Sequence, residues 1–135
     1  MSFAVDIWSE RKSMKVLIID DSGVMRRIHA NTLKEHGVDA GDLREAEDGT
    51  VALDIAERDD IDLFLVDWNM PKLDGLGLVK KLRAKPEYAE TPIIMVTSEA
   101  AKYNVVEAVK AGVTNYIIKP VRGDNLWQKI GKYFE

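Results

Sequence analysis

Cysteine is absent from all 135 residues. That excludes disulfides and thiolate metal sites, and it fits a reducing, cytosolic setting. Long apolar stretches are also missing. Hydrophobic residues make up 46% of the chain, yet the uninterrupted runs fall far short of the ~20 residues a membrane-spanning helix needs. Residues 1–13 contain no apolar signal core. Positive charge is not in excess: 19 Lys and Arg stand against 23 Asp and Glu, a net charge of −4. The electrostatic footprint for nucleic acid or an anionic membrane is therefore lacking. Repeats, low-complexity tracts and interdomain linkers are absent as well, so a single domain is expected. A domain of this length hides roughly two-thirds of its unfolded surface. These absences predict a soluble, cytoplasmic monomer without membrane insertion or nucleic-acid partner.

What is present is a set of short apolar runs, each closed by polar residues. Lys15-Val16-Leu17-Ile18-Ile19 ends in Asp20-Asp21, and Ile61-Asp62-Leu63-Phe64-Leu65-Val66 ends in Asp67. Pro92-Ile93-Ile94-Met95-Val96 ends in Thr97-Ser98, and Tyr116-Ile117-Ile118 ends in Lys119-Pro120. Such runs read as buried parallel strands. Leu43-Arg44-Glu45-Ala46 is a weaker second strand.

Segments of helical length lie between the strands. Residues 24–36 carry Met25, Ile28, Thr32 and Leu33 on one stripe before Gly37, with Arg26 and Arg27 outside it. Asp48 or Thr50 caps a helix running to about Arg58. Behind Asp74, the positions 76, 78, 79 and 82 are apolar. Residues 100–111 offer Val105, Val106 and Val109 before Gly112, with Thr97 or Ser98 as a candidate cap. Residues 124–134 bury Leu126, Ile130 and Phe134. The alternation predicts a doubly wound five-stranded parallel sheet with helices on both faces. Residues 1–13 stand outside it as a loosely ordered extension, and 14–135 form the domain.

In an open α/β sheet, ligands collect beyond the carboxyl ends of the strands. Asp20, Asp21, Asp67, Thr97 and Lys119 therefore share one rim. A single acid after a strand is usually a turn former, but three acids with a hydroxyl and an amine are more than turn chemistry requires. Three carboxylates repel unless a cation or a proton neutralises them. Oxygen-only ligation selects a hard ion such as Mg²⁺ or Mn²⁺. Lys119 reaches back over the rim as a point charge for a phosphoryl oxygen. The loop Asp67-Trp68-Asn69-Met70-Pro71 offers a backbone carbonyl as a further ligand. Tyr116 opens the last strand, more often a core position than a functional one, although its hydroxyl invites an inward or outward choice. His29 and His36 lie about 10 Å apart along one helix, too far to share a metal, and are expected at the surface or boundary.

In combination, IIDDS followed by Met25-Arg26-Arg27-Ile28, VDWNMPKLDG, MVTSEA and YIIKP resemble the receiver domain of response regulators. The likeness runs from about Met14 to Glu135 and is greatest to the single-domain chemotaxis members. It implies a flavodoxin-like sheet in the order 2-1-3-4-5 and a non-enzymatic phosphoacceptor in two-component signalling. Asp67 would accept the phosphoryl group from a histidine kinase. Asp21, Asp67 and the Asn69 carbonyl would hold Mg²⁺, with Asp20 assisting. Thr97 and Lys119 would grip phosphoryl oxygens, and Thr97 with Tyr116 would form a switch. Asn69 and Glu99 occupy positions that set self-dephosphorylation. Ala100, Lys102, Val105, Tyr116 and Lys129 fall on the face of the fourth helix, fifth strand and fifth helix that meets the flagellar motor switch. Ser98, Tyr103 and Val121 depart from the chemotaxis pattern, the last two beside that face. A phosphorelay intermediate, or a regulator of a partner enzyme, would share the same chemistry. An aspartyl-phosphate phosphatase would want an Asp where Asn69 stands. A flavodoxin-like cofactor binder would want a Ser-, Thr- and Gly-rich loop where Asp20-Asp21 stand.

Overall fold

In the computed structural model, residues 13–122 and 124–135 are described. The expected loosely ordered extension thus lies, apart from Ser13, outside the described residues. Among those described, the strands are β1 (Val16–Ile19), β2 (Leu43–Ala46), β3 (Leu63–Val66), β4 (Ile93–Thr97) and β5 (Asn115–Ile118). They alternate with α1 (Gly23–Glu35), α2 (Gly49–Arg58), α3 (Gly75–Arg83), α4 (Lys102–Ala111) and α5 (Asn125–Ile130). The sheet order is β2-β1-β3-β4-β5 and every pairing is parallel. This is the doubly wound fold the sequence predicts.

Period-two alternation sorts the strand residues between two cores. Leu17, Ile19, Phe64, Val66, Ile93 and Met95 point toward α2, α3 and α4. Val16, Ile18, Leu63, Leu65, Ile94 and Val96 point the other way, toward α1 and α5. Both sets are buried because helices cover both faces, which is why β1, β3 and β4 are continuous apolar runs. β2 and β5 are edge strands and are only partly buried.

Caps define the helix starts. Ser22 accepts from the Met25 amide and opens α1. Asp48, rather than Thr50, caps α2, accepting from the Thr50 and Val51 amides at 2.8 and 3.0 Å. Asp74 accepts from the Gly77 amide at α3. Gly37, at φ 94°, closes α1 in the left-handed conformation that lacks a Cβ penalty. The α4 cap corrects the sequence reading: the helix begins at Lys102 with Ala101 before it and no side-chain cap. Thr97 ends β4 instead, and Ser98 lies in the loop. The C-terminal helix is also shorter than expected, passing at Gly131 into a 3₁₀ turn that still buries Phe134.

Two helix faces are rotated from the expected stripes. Ile28 is 44% exposed, whereas His29, Ala30 and Leu33 are buried. At about 100° per residue, Ile28 lies roughly 140° around α1 from Leu33, and His29 only about 40°. In α4, Val106 and Val109 are exposed, Val105 is half-buried, and Ala108 packs on the sheet. Small residues at these contacts let the helices approach closely, which pushes larger neighbours outward.

His29 is thus a core residue and not a surface one. Both of its ring nitrogens are buried without a hydrogen-bond partner. Burial pushes its pKa below the ordinary 6.5, and the nearby Lys119 charge adds to that. A histidine held neutral in the native state but free to protonate when unfolded supplies stability above about pH 6.5. That stability is lost as pH falls below this value. His29→Leu is expected to flatten the acid side of the stability curve, so that its urea midpoint between pH 7 and pH 5 falls less than the wild type's. Parallel curves for the two proteins would refute the neutral buried imidazole.

Candidate functional site

Backbone pairing between strand ends assembles the rim. The Asp20 amide donates to the Ala46 carbonyl, the Asp67 amide to the Ile19 carbonyl, and the Lys119 amide to the Thr97 carbonyl. Each polar residue is therefore fixed one step beyond its strand by the neighbouring strand. β1 and β3 are adjacent and their crossovers run in opposite directions, so Asp20, Asp21 and Asp67 meet at the switch point. One carboxylate oxygen from each lies within 4.8 Å of the others. Asp20 and Asp67 are buried, while Asp21 is exposed and leaves one side open to water.

Lys119 supplies the counter-charge. Its Nζ is 2.7 Å from Asp20 Oδ2 and 3.7 Å from Asp67 Oδ2. The ammonium stem is largely buried, at 14% side-chain exposure, so this pair is far less screened than a surface bridge. The Lys119–Pro120 peptide bond is cis. Burial pushes the Asp67 carboxyl above its ordinary 3.8. The Thr97 hydroxyl and Lys119 pull the other way, and Asp20 pushes it up again. The Trp68 amide also donates to Asp67 Oδ1 at 2.8 Å. Asp67 is consequently a carboxylate with a directed oxygen and an incompletely neutralised charge.

The second tier of sequence-selected residues joins through hydrogen bonds. Asn69 Nδ2 donates to Glu99 Oε1 at 3.2 Å, bridging the loops after β3 and β4. The Glu99 amide donates to Thr97 Oγ1 at 3.4 Å, and the Tyr116 hydroxyl to the Glu99 carbonyl at 2.6 Å. Burial raises the Tyr116 pKa, and Glu99 and Asp67 add to that. Thr97, Glu99 and Tyr116 thus form one connected path away from Asp67. Tyr116 and Lys129 line a shallow groove between β5 and α5 with Ile118, Val121, Asn125 and Gln128. Ala100, Lys102 and Val105 lie at the start of α4, outside that groove; Ala100 and Lys102 are exposed and Val105 half-buried.

Arg26 escaped the sequence reading. Expected outside the buried stripe, it is half-buried, donating to the Asp20 carbonyl at 2.6 Å and to Glu45 at 2.9 Å. Its position four residues after Ser22, on the Leu33 side of α1, is the signal that could have found it.

The donor set is oxygen-only, partly buried and open at Asp21, which suits a hard divalent cation. The fold and rim define a doubly wound α/β module with a cation-compatible acidic centre and a lysine poised above it. Residues 16–131 match the model of the response regulator receiver domain. A chemotaxis protein CheY homolog of Campylobacter jejuni is 49% identical over 118 residues, covering 87% of this chain and 89% of that protein. Chemotaxis protein CheY-3 of Vibrio cholerae is 42% identical over 124 residues, 92% and 94% of the two chains. Among solved structures, the chemotaxis response regulator CheY4 of Vibrio cholerae superposes with a TM-score of 0.83 at 31% identity, covering 90% and 99%. The chain belongs to the response regulator receiver domain family. It is a two-component signalling protein, placed between a histidine kinase that donates phosphoryl groups and a downstream signalling target. Among the described residues, no helix is long and apolar enough to cross a membrane.

Proposed function

We propose that this receiver, comprising residues 14–135 with 1–13 as an extension, accepts a phosphoryl group on Asp67 from a chemotaxis-type histidine kinase. In the phosphorylated state it binds the flagellar motor switch in the cytoplasm. The observation that carries the reading is the convergence of Asp20, Asp21 and Asp67 within 4.8 Å under the Lys119 ammonium. The chemotaxis names of the relatives support the output.

Asp67 attacks phosphorus in line; a new Asp67 O–P bond forms as the P–N bond to the donor imidazole breaks. Negative charge spreads over the transferring oxygens, so positioning and electrostatics supply most of the catalysis. Asp20, Asp21, Asp67 and the Asn69 carbonyl would hold Mg²⁺, or Mn²⁺, which supplies neutralisation of that charge when bound. Lys119 neutralises a second oxygen, and Thr97 donates to a third. The acyl phosphate then hydrolyses at a rate that Asn69 and Glu99, facing each other across the opening, help to set. The protein is a phosphoacceptor rather than an enzyme with a released substrate.

Mg²⁺ binding should change the fluorescence of Trp68, which adjoins Asp67. Asp21→Ala is expected to weaken that response at least tenfold, about 1.4 kcal/mol. An unchanged titration would count against the ligand assignment; Trp68→Phe removes the signal and controls for Trp8 and Trp127.

Output should depend on Thr97. Moving its hydroxyl toward the phosphoryl group alters the Glu99 contact and with it Tyr116, biasing the groove beside Lys129. Coupling energies of this kind are typically about 1–3 kcal/mol, or roughly 5–150-fold in affinity. Beryllofluoride, a stable phosphoryl mimic, is expected to raise affinity for a motor-switch peptide by a factor in that range. Thr97→Ala should shrink the ratio while Asp67 still accepts phosphate. If the mimic leaves wild-type affinity unchanged, the motor output fails and a relay or enzyme-regulating output replaces it.

A further inference from the structure

We infer that Leu73 is a positioning residue for the metal and phosphoryl site, acting as a peg that pins the loop between Asp67 and α3 into a socket lined by glycines. This rests on the metal reading given above.

The loop is clamped at both ends. At its start, the Gly75 amide donates to the Trp68 carbonyl at 2.8 Å. Gly75 sits so close to β3 that a Cβ there would lie 2.2 Å from the Asp67 carbonyl oxygen. At its far end, the Gly49 amide, at the start of α2, donates to the Leu73 carbonyl at 3.2 Å. A Cβ on Gly49 would lie 2.6 Å from that carbonyl oxygen and 2.9 Å from Leu73 Cβ and Cγ. A Cβ on Gly77 would lie 2.8 Å from Leu73 Cδ1. The half-buried Leu73 side chain therefore fills a slot between α2 and α3 that exists because Gly49 and Gly77 carry no Cβ, and it packs against the core on that face.

The backbone between these clamps is held in an uncommon shape. Lys72 has φ 68°, the left-handed region that non-glycine residues enter at a cost. Such a conformation persists where its surroundings over-determine it. The Leu73 amide donates to the Pro71 carbonyl at 2.8 Å, and Lys72 Nζ lies 3.9 Å from the buried Asp48 carboxylate that caps α2. The residues held between the clamps include Asn69, whose carbonyl is the proposed fourth metal ligand. Leu73 touches neither metal nor phosphate. It acts by fixing where that carbonyl and the Asp67 oxygen stand, and groups that orient metal ligands typically affect affinity about 10–100-fold.

The test is titration of the purified chain with Mg²⁺ alone, read by Trp68 fluorescence, alongside thermal melts without metal. Leu73→Ala is expected to raise the Mg²⁺ dissociation constant about tenfold or more. Leu73→Met, which refills the slot with an unbranched side chain, should recover most of it. Leu82→Ala, a fully buried position on the far end of α3, should lower the melting temperature at least as much while leaving Mg²⁺ affinity within twofold. Gly49→Ala, which pushes on the Leu73 carbonyl directly, should weaken Mg²⁺ as Leu73→Ala does. If Leu73→Ala melts lower but binds Mg²⁺ like the wild type, Leu73 is ordinary packing and the inference is overturned. If Leu82→Ala loses Mg²⁺ to the same extent, the effect is general loosening and the inference fails again. A wild-type chain with no Mg²⁺ response would instead remove the metal reading itself.

Discussion

Asp67→Asn is expected to abolish labelling by a small acyl-phosphate donor and to stabilise the fold at the same time. Wild-type protein with Mg²⁺ should gain one phosphoryl group that hydroxylamine releases, because an acyl phosphate is cleaved by that nucleophile. The amide is nearly isosteric but neither attacks phosphorus usefully nor offers an anion to the cation, so labelling should disappear. The stability gain follows from linkage. Burial raises the folded pKa of Asp67 above 3.8. The native state therefore binds this proton more tightly than the unfolded chain. Stability from that proton is present below pH 3.8 and lost as pH rises through the raised value. At neutral pH without metal the ionised carboxylate costs stability, and the neutral amide removes that cost. Asp67→Asn should melt higher than wild type at pH 7.5, and the gap should close on acidification. Full labelling of the variant would sink the phosphoacceptor assignment. A lower melting temperature at pH 7.5 would show that Lys119 more than offsets the desolvation of Asp67.

That opposition of function and stability explains how much of this chain was legible in its sequence. The rim could be read because Asp20, Asp67, Thr97 and Lys119 each interrupt an apolar run at a strand end, where turn chemistry alone does not call for an acid, a hydroxyl and an amine together. Parallel crossovers of one hand narrow the sheet to a few doubly wound orders, and the receiver resemblance selects 2-1-3-4-5 among them. Asp48 and Asp74 were legible as helix caps, Asp48 with Thr50 as its rival. The helix faces were less legible. Apolar identity pointed to Ile28, Val106 and Val109, but α1 and α4 lie against the sheet through Ala30 and Ala108, where small size permits contact. His29 was misplaced for the same reason: residue polarity says what burial costs and not whether the helix phase imposes it. Arg26 shares the Leu33 side of α1, a helix phase that was read from apolar residues alone, whereas the Leu73 socket depends on tertiary approach between elements far apart in sequence, which no local pattern encodes.

Lys119→Met should have the second largest effect, on both chemistry and stability. Lys119 is the cation within 4.0 Å of Asp20 and Asp67 among the described residues. Removing it leaves those two carboxylates, at 3% and 9% side-chain exposure, facing each other with no cationic side chain between them and only the Ser22 and Trp68 amides, the Thr97 hydroxyl, water and a metal ion to compensate. Breaking such a pair by deleting one partner costs about 3–5 kcal/mol when fully buried, which sets the upper end here because Asp21 is open to solvent. Lys119 is one of the influences that hold the Asp67 pKa down, so its loss lifts that pKa further above 3.8. The variant should therefore approach wild-type stability at acid pH, where Asp67 holds its proton, and fall away from it toward neutral pH. Mg²⁺ should raise the melting temperature of the variant more than that of the wild type, since the ion replaces a missing charge instead of adding to an existing one. The labelling rate should drop about 10²–10³-fold, the effect of removing one donor aimed at developing charge. Lys119→Arg would keep the charge and most of the stability, yet its planar guanidinium cannot occupy the same point between two carboxylates, so the rate should remain depressed. Melts at pH 5 and 7.5 with and without Mg²⁺, together with single-turnover labelling, separate these effects. A Lys119→Met protein labelled at the wild-type rate would show that the ammonium balances charge in the resting site and takes no part in phosphoryl transfer.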